Sequence, residues 1–186
     1  ASDVYKRQHL FQWFFNWKME EIYIFGHKNP DTDTILSALI LEAIEKTMGI
    51  YKTKAYRLGE VNKETQYALD YFGVKAPELL EEVEEGRQVM LVDHNEFGQS
   101  VKGIEKAKII RVVDHHKIAN FETKEPLFYM AMPVGCTATI LRDMCKVSGI
   151  KLDRITAGLM LSAIISDTLL FCLLYTSPSP RDSTSS

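Results

Sequence analysis

Glu21-Ile22-Tyr23-Ile24-Phe25-Gly26-His27-Lys28-Asn29-Pro30-Asp31-Thr32-Asp33-Thr34-Ile35-Leu36 joins a short apolar run to a polar loop and then to a second apolar pattern. Glu21 to Phe25 reads as a buried strand. From Thr34 to Met48, Ile35, Leu36, Leu39, Ile40, Ala43 and Ile44 recur at helical spacing, and Gly49 supplies the stop. The same grammar continues outward. Lys54 to Leu58 is a second strand, Lys63 to Phe72 a helix ended by Gly73, and Pro77 to Glu85 a further helix, with Pro in its first turn and Gly86 beyond it. Val89 to Val92 and Ile109 to Val113 are unbroken apolar runs rich in β-branched residues, the pattern of parallel strands covered on both faces. Each leads straight into an aspartate. Phe128 to Met132 is another strand, followed by helices over Thr137 to Val147, closed by Gly149, and Arg154 to Ile165. The alternation specifies an α/β domain with a mainly parallel sheet flanked by helices. The acidic run Glu78 to Glu85 reads as a solvated helix face, not a binding patch.

Length and charge bound the rest. A chain of 186 residues buries the core of one ordinary domain. With 22 basic and 25 acidic side chains and a net charge of -3, it carries no basic field for nucleic acid or an anionic membrane, so neither is an expected partner. No apolar stretch reaches the ~20 residues of a membrane span. Cys136, Cys145 and Cys172 form no CxxC pair and read as free thiols in a reducing, cytoplasmic setting.

Both ends differ from the middle. Residues 1–18 hold an aromatic cluster, Phe11, Trp13, Phe14, Phe15 and Trp17, without the apolar run or cleavage site of a signal peptide. Met19 opens directly into the first strand. Beyond Phe171 the composition turns to Ser, Thr and Pro, which cannot pack a core. Ala1 to Gln8 and Cys172 to Ser183 resemble translated adaptor sequence. The expected division is therefore a non-native leader over 1–18, a catalytic domain over 19–171 and a non-native disordered tail over 172–186, against the plainer reading of an aromatic anchor and a natural tail.

The chemistry lies at the strand ends. His27, Asp31, Asp33, Asp93, Asp114, His115 and His116 all follow expected strands, and in an open parallel sheet the carboxyl ends of the strands border the ligand crevice. With Asp167 they supply enough carboxylate and imidazole for two divalent ions, which points to a metal-dependent phosphoester or phosphoanhydride hydrolase. Asp31 and Asp33, two apart on one loop, can each face a different ion, and Pro30 stiffens the approach. Asp93, with two oxygens at the end of a buried strand, is the expected bridge between ions about 3.5–4 Å apart. The donors are hard oxygen with some imidazole and no thiolate, which suits Mn²⁺ first and Co²⁺ or Mg²⁺ as substitutes. Such a pair acidifies a bridging water to hydroxide and neutralises phosphate charge. His116, beside a ligand, is placed to contact a phosphoryl oxygen or protonate a leaving one. His94 and Asp114 are expected to orient ligands from behind rather than to ligate. Alone, Asp167 is an ordinary helix-end acid and the His27–Asp33 segment a loop of Asx turns; together the four segments outweigh those readings. His9, in the leader, has no role.

Gly26-His27-Lys28-Asn29-Pro30-Asp31-Thr32-Asp33, Val92-Asp93-His94-Asn95-Glu96, Asp114-His115-His116 and Ile165-Ser166-Asp167-Thr168 together resemble the manganese-dependent (family II) inorganic pyrophosphatases of the DHH phosphoesterase superfamily. The resemblance runs from Met19 to about Phe171. It implies that His27, Asp31 and Asp93 hold one manganese ion, that Asp33, Asp93, His115 and Asp167 hold the other, and that His116 contacts pyrophosphate, which a metal-bridged hydroxide cleaves to two phosphates. It also implies a second, C-terminal domain, absent here, whose Arg and Lys side chains grip the diphosphate. The chain is accordingly expected to bind metal and turn over poorly, since each such clamp contributes a factor of ~10² to 10³. Exopolyphosphatase or short-oligonucleotide phosphodiesterase activity, or metal binding without catalysis, are the alternatives; Thr32 in Asp31-Thr32-Asp33 favours the pyrophosphatase branch over the Asp-Gly-Asp of the nucleases. A homodimer is left open.

Overall fold

The computed structural model describes residues 20–169. Strands β1 (Ile22–Phe25), β2 (Thr53–Arg57), β3 (Glu78–Leu79), β4 (Gln88–Val92), β5 (Lys108–Asp114) and β6 (Phe128–Ala131) form one sheet in the order β3-β2-β1-β4-β5-β6. Every neighbouring pair is parallel. Helices α1 (Thr32–Met48), α2 (Lys63–Phe72), α3 (Thr137–Ser148) and α4 (Arg154–Asp167) complete the described domain. The leader over 1–18, the tail over 172–186, His9 and Cys172 lie outside the described residues.

Local chemistry sets the helix ends. Asp31, Asn62 and Asp153 cap α1, α2 and α4, each accepting the amide three residues on. Gly49, Gly73 and Gly149 end α1, α2 and α3 in the left-handed conformation.

Strand alternation divides the core in two. Ile22 and Ile24 of β1, Met90 and Val92 of β4 and Val113 of β5 pack with α1, α2, α3 and α4. Phe25, Val89, Leu91 and Val112 face the other side, against Val83, Val101 and Ile104. A register irregularity at Val89/Met90 shifts the pairing of β5, so that Arg111 stands opposite Met90 and reaches the buried Glu45 of α1.

Where α2 meets α4 the backbones come close. A Cβ on Gly158 would overlap the Phe72 ring. Gly158→Ala gains about 1 kcal/mol of helix propensity but overpacks this contact at about 1–3 kcal/mol, so a net loss of thermal stability is expected in a melting experiment; a rise would show that Phe72 simply swings aside.

One expected element is wrong. Pro77 to Glu85 is not a helix: Glu78 and Leu79 pair with Tyr56 and Arg57 as an edge strand, Arg57 Nε donates to the Pro77 carbonyl at 3.1 Å, and Leu80 N donates back to Arg57 at 2.9 Å. A helix would have stacked Glu78, Glu81, Glu82 and Glu85 at repelling i,i+3 and i,i+4 positions; extended, these side chains stand solvated along the edge.

Candidate metal centre

The central strands β1, β4 and β5 are adjacent, and the sheet order reverses between β1 and β4, the place where open α/β sheets form a crevice. His27 leaves β1 there, Asp93 leaves β4 and Asp114 ends β5. The helices contribute the rest: Asp31 and Asp33 at the start of α1, Cys136 and Thr137 at the start of α3, and Asp167 at the end of α4. Asp33 is therefore not in the loop, as its spacing implied. The Asp31 cap starts the helix at Thr32 and turns Asp33 inward. Thr32 is buried and shares a 3.0 Å hydrogen bond with Thr65 of α2, which fixes that first turn. Gly26 permits the crowding, since a Cβ there would overlap Thr34 and lie 3.2 Å from the Val92 carbonyl.

Asp93 is the hub. It is 1% exposed and held at φ 60, a left-handed backbone costing about 1–2 kcal/mol that Asp and Asn tolerate best. Its two oxygens face different groups. Oδ2 accepts the Thr34 hydroxyl at 2.6 Å and lies 3.6 Å from His27 Nε2. Oδ1 accepts the Thr137 hydroxyl at 3.0 Å and lies 3.2 Å from His115 Nε2 and 3.7 Å from His116 Nδ1.

On the first side, His27, Asp31 and Asp93 place donor atoms within 4.8 Å of one another. Asp31 spends Oδ1 on its cap bond to Thr34 N at 2.9 Å and keeps Oδ2 toward His27 at 3.6 Å. Burial disfavours the charge on both, but their mutual contact, with Asp93 beside His27 and the Thr34 amide on Asp31, wins: His27 is raised and Asp31 lowered.

On the second side, two groups meet the same criterion, Asp93 with His115 and His116, and Asp33 with Cys136 and Asp167. Asp33 is fully buried at the mouth of α3, accepting Thr137 N at 2.6 Å, Ala138 N at 3.2 Å and Ser37 Oγ at 2.8 Å. Burial, then the like charges of Asp93 and Asp167, push it up to about 8; burial and the charges of Asp93 and Asp31 bring Asp167 up to about 6. Crowded carboxylates that resist ionising together are what a cation would relieve.

The histidine pair is aimed by its neighbours. The Val134 carbonyl, which can only accept, lies 2.9 Å from His115 Nδ1 and so fixes the proton there, turning Nε2 toward Asp93 and, at 3.6 Å, Asp167. Burial opposes charging this ring, but its bond to Asp93 prevails and raises it to about 9. Asp114 Oδ1 accepts from His116 N at 3.1 Å and His116 Nδ1 at 2.9 Å. Asp114 thus orients His116. The bond raises His116, and although burial works against the Asp114 charge, the bonds from His116 and Asn95 lower it. His94 supports the loop after Asp93: its ring bonds run to the Val92 carbonyl at 3.0 Å and Ser100 at 3.1 Å, and the charges of His27 and Asp93 act on it without a hydrogen bond.

Sequence reading missed several members. It counted no sulfur among the donors, yet Cys136 stands beside Asp33 and Asp167, its thiol pushed up by burial and then by the Asp33 charge. Thr34, Ser37, Thr137 and Asn95 bind the carboxylates. For Asn95 the available signal was its place in Asp93-His94-Asn95.

Over 154 residues the chain is 60% identical to a "Probable manganese-dependent inorganic pyrophosphatase" of Exiguobacterium sp., covering 82% of this chain and 50% of the relative. It is 57% identical over 154 residues to the manganese-dependent inorganic pyrophosphatase of Bacillus subtilis, with the same coverage of each, 82% and 50%. A Methanococcus jannaschii crystal structure, described as that of a "putative family II inorganic pyrophosphatase", superposes with a TM-score of 0.73 at 43% identity, over 80% of this chain and 49% of that one. The chain spans about half the length of the curated relatives it matches. Residues 21–164 match the DHH family, N-terminal domain, and the chain belongs to that family.

Proposed function

We propose that this chain is the metal-binding half of a manganese-dependent inorganic pyrophosphatase, with His27, Asp31 and Asp93 holding one ion, Asp33, Asp93, His115 and Asp167 the other, and His116 meeting the substrate. The observation that carries the reading is Asp93, whose Oδ2 faces His27 and whose Oδ1 faces His115. The donor chemistry fits: imidazole nitrogens and carboxylates raised by burial and then by one another's charge, among them the backbone-held Asp33, suit hard divalent ions. Bound there, two such ions supply an acidified water and charge to offset the phosphate oxygens. The chain's own residues do the remaining work. Thr34 and Thr137 each donate to one oxygen of Asp93 and so fix the rotation of its carboxylate, and the start of α3 holds Asp33. His116, half exposed and braced by Asp114, can carry a proton on Nε2 toward a leaving phosphate oxygen. The buried free thiols Cys136 and Cys145 accord with a reducing, cytoplasmic setting, and among the described residues no helix is long and apolar enough to cross a membrane.

Phosphate release from pyrophosphate with Mn²⁺ tests the reading. Alone, the chain is expected to be slower than the full-length Bacillus subtilis relative by about 10² or more, the contribution of one missing electrostatic clamp or several. Grafted onto that relative's C-terminal half, it is expected to recover most of the rate. A graft that binds Mn²⁺ but leaves pyrophosphate intact would refute the assignment.

A further inference from the structure

We propose that Asn95 is a positioning residue that fixes the tautomer and aim of the His116 ring, acting through Asp114 and the turn that follows both histidines. Asn95 is 1% exposed and almost fully engaged. Its Nδ2 donates to Asp114 Oδ2 at 2.6 Å and to the Lys117 carbonyl at 2.9 Å, while its Oδ1 accepts Ala119 N at 2.9 Å. The amide cannot be reversed, because its oxygen would then face two acceptors and its NH₂ a donor. The clamp therefore has one orientation. It closes the turn Lys117–Ala119 and holds one oxygen of a fully buried carboxylate. The other oxygen, Oδ1, is left to His116, from which it accepts both the backbone amide and Nδ1. A carboxylate held this way only accepts, so Nδ1 keeps the proton and Nε2 points away from Asp114, toward the open side of the site. An aspartate at position 95 would set a second carboxylate against Asp114 and the Lys117 carbonyl. An alanine would leave the Lys117 carbonyl, the Ala119 amide and Asp114 Oδ2 each short of a partner.

The use of the ring rests on the pyrophosphatase reading, but its tautomer does not, so the test needs no hydrolysis. Long-range ¹H–¹⁵N spectra of the 186-residue chain at alkaline pH, where the ring is neutral, report which nitrogen carries the proton; His116 is assigned by the signal missing from His116→Ala. The expected wild-type pattern is Nδ1–H, and an Nε2–H ring would overturn the proposal. In Asn95→Ala, Asp114 still only accepts but is no longer held, so the ring should leave it and the pattern shift toward Nε2–H, while His94, tied to Val92 and Ser100, keeps its signals as a control on the fold. An unchanged His116 beside an unchanged His94 would show Asn95 to be dispensable. If His94 also moves, Asp114→Asn decides: Asn95 Nδ2 and the His116 amide compete for the new amide oxygen, and NH₂ turns toward the ring, giving Nε2–H, where Asn95 wins. Retention of Nδ1–H there means that Asn95 does not hold its neighbour.

Discussion

Asp93→Asn is expected to reduce the chain from two bound Mn²⁺ ions to at most one, and to lower hydrolysis by the grafted full-length protein by roughly 10³ or more, the loss of more than one electrostatic contact. The change is nearly isosteric, and asparagine tolerates the left-handed backbone at this position, φ 60, about as well as aspartate does. The Thr34 and Thr137 hydroxyls can each turn to donate or accept, so the amide can still be satisfied in either orientation. The fold should therefore persist. What cannot persist is an acceptor on both sides: the NH₂ must face either His27 or His115 and present a donor where an ion is proposed to sit. Asp31→Asn is the comparison, because the ion pair of Asp31 is with His27. It should weaken one ion and spare the other. Titration calorimetry or the Mn²⁺ electron spin resonance signal gives the count. Two ions bound to Asp93→Asn with wild-type affinity would remove Asp93 from the bridging role.

The sequence exposes what is local and hides what is assembled over distance. The strand β1 and the glycine stops at Gly49, Gly73 and Gly149 were legible because propensity, periodicity and end signals agree within one segment. Pro77 to Glu85 misled because its proline, periodicity and glycine mimic a helix, while what decides it, pairing of Glu78 and Leu79 with β2, lies some twenty residues upstream. The candidate ligands at strand ends were visible, since topology alone gathers them at one edge. Their supports were not. Asp33 is held by amides of Thr137 and Ala138, 104 and 105 residues on, and Cys136 stands beside it only because α3 starts there. Asp167 read alone was a helix-end acid; only the fold brings it within 3.6 Å of His115. The partners of His94 were hidden as well: its ring bonds to the Val92 carbonyl and Ser100, which adjacency to Asp93 in sequence does not reveal.

Millimolar Mn²⁺ is expected to raise the melting temperature of this chain by roughly 10–20 °C, and a chelator to reverse it. The estimate follows from binding linkage: an ion at a hundred times its dissociation constant stabilises by about 2.7 kcal/mol per site, two sites by about 5 kcal/mol, and each kcal/mol moves the midpoint by about 2–4 °C in a domain of this size. The structure supplies the reason for so large a response. Asp31, Asp33, Asp93 and Asp167 converge from two helices and a strand end, and the ion pairs of Asp93 and Asp167 are with histidines alone among the described residues. Their like charges repel across the start of α1, the end of α4 and the end of β4, and a cation held among them would offset that repulsion. The direction with pH is fixed as well. Asp33, raised to about 8, and His115, raised to about 9, must each give up a proton to serve as ligands, so protons compete with metal and the stabilisation shrinks as pH falls through neutrality. A shift of the same size in Asp93→Asn would mean that Mn²⁺ acts elsewhere on the surface, and no shift in the wild-type chain would mean that the converged carboxylates do not bind it at all.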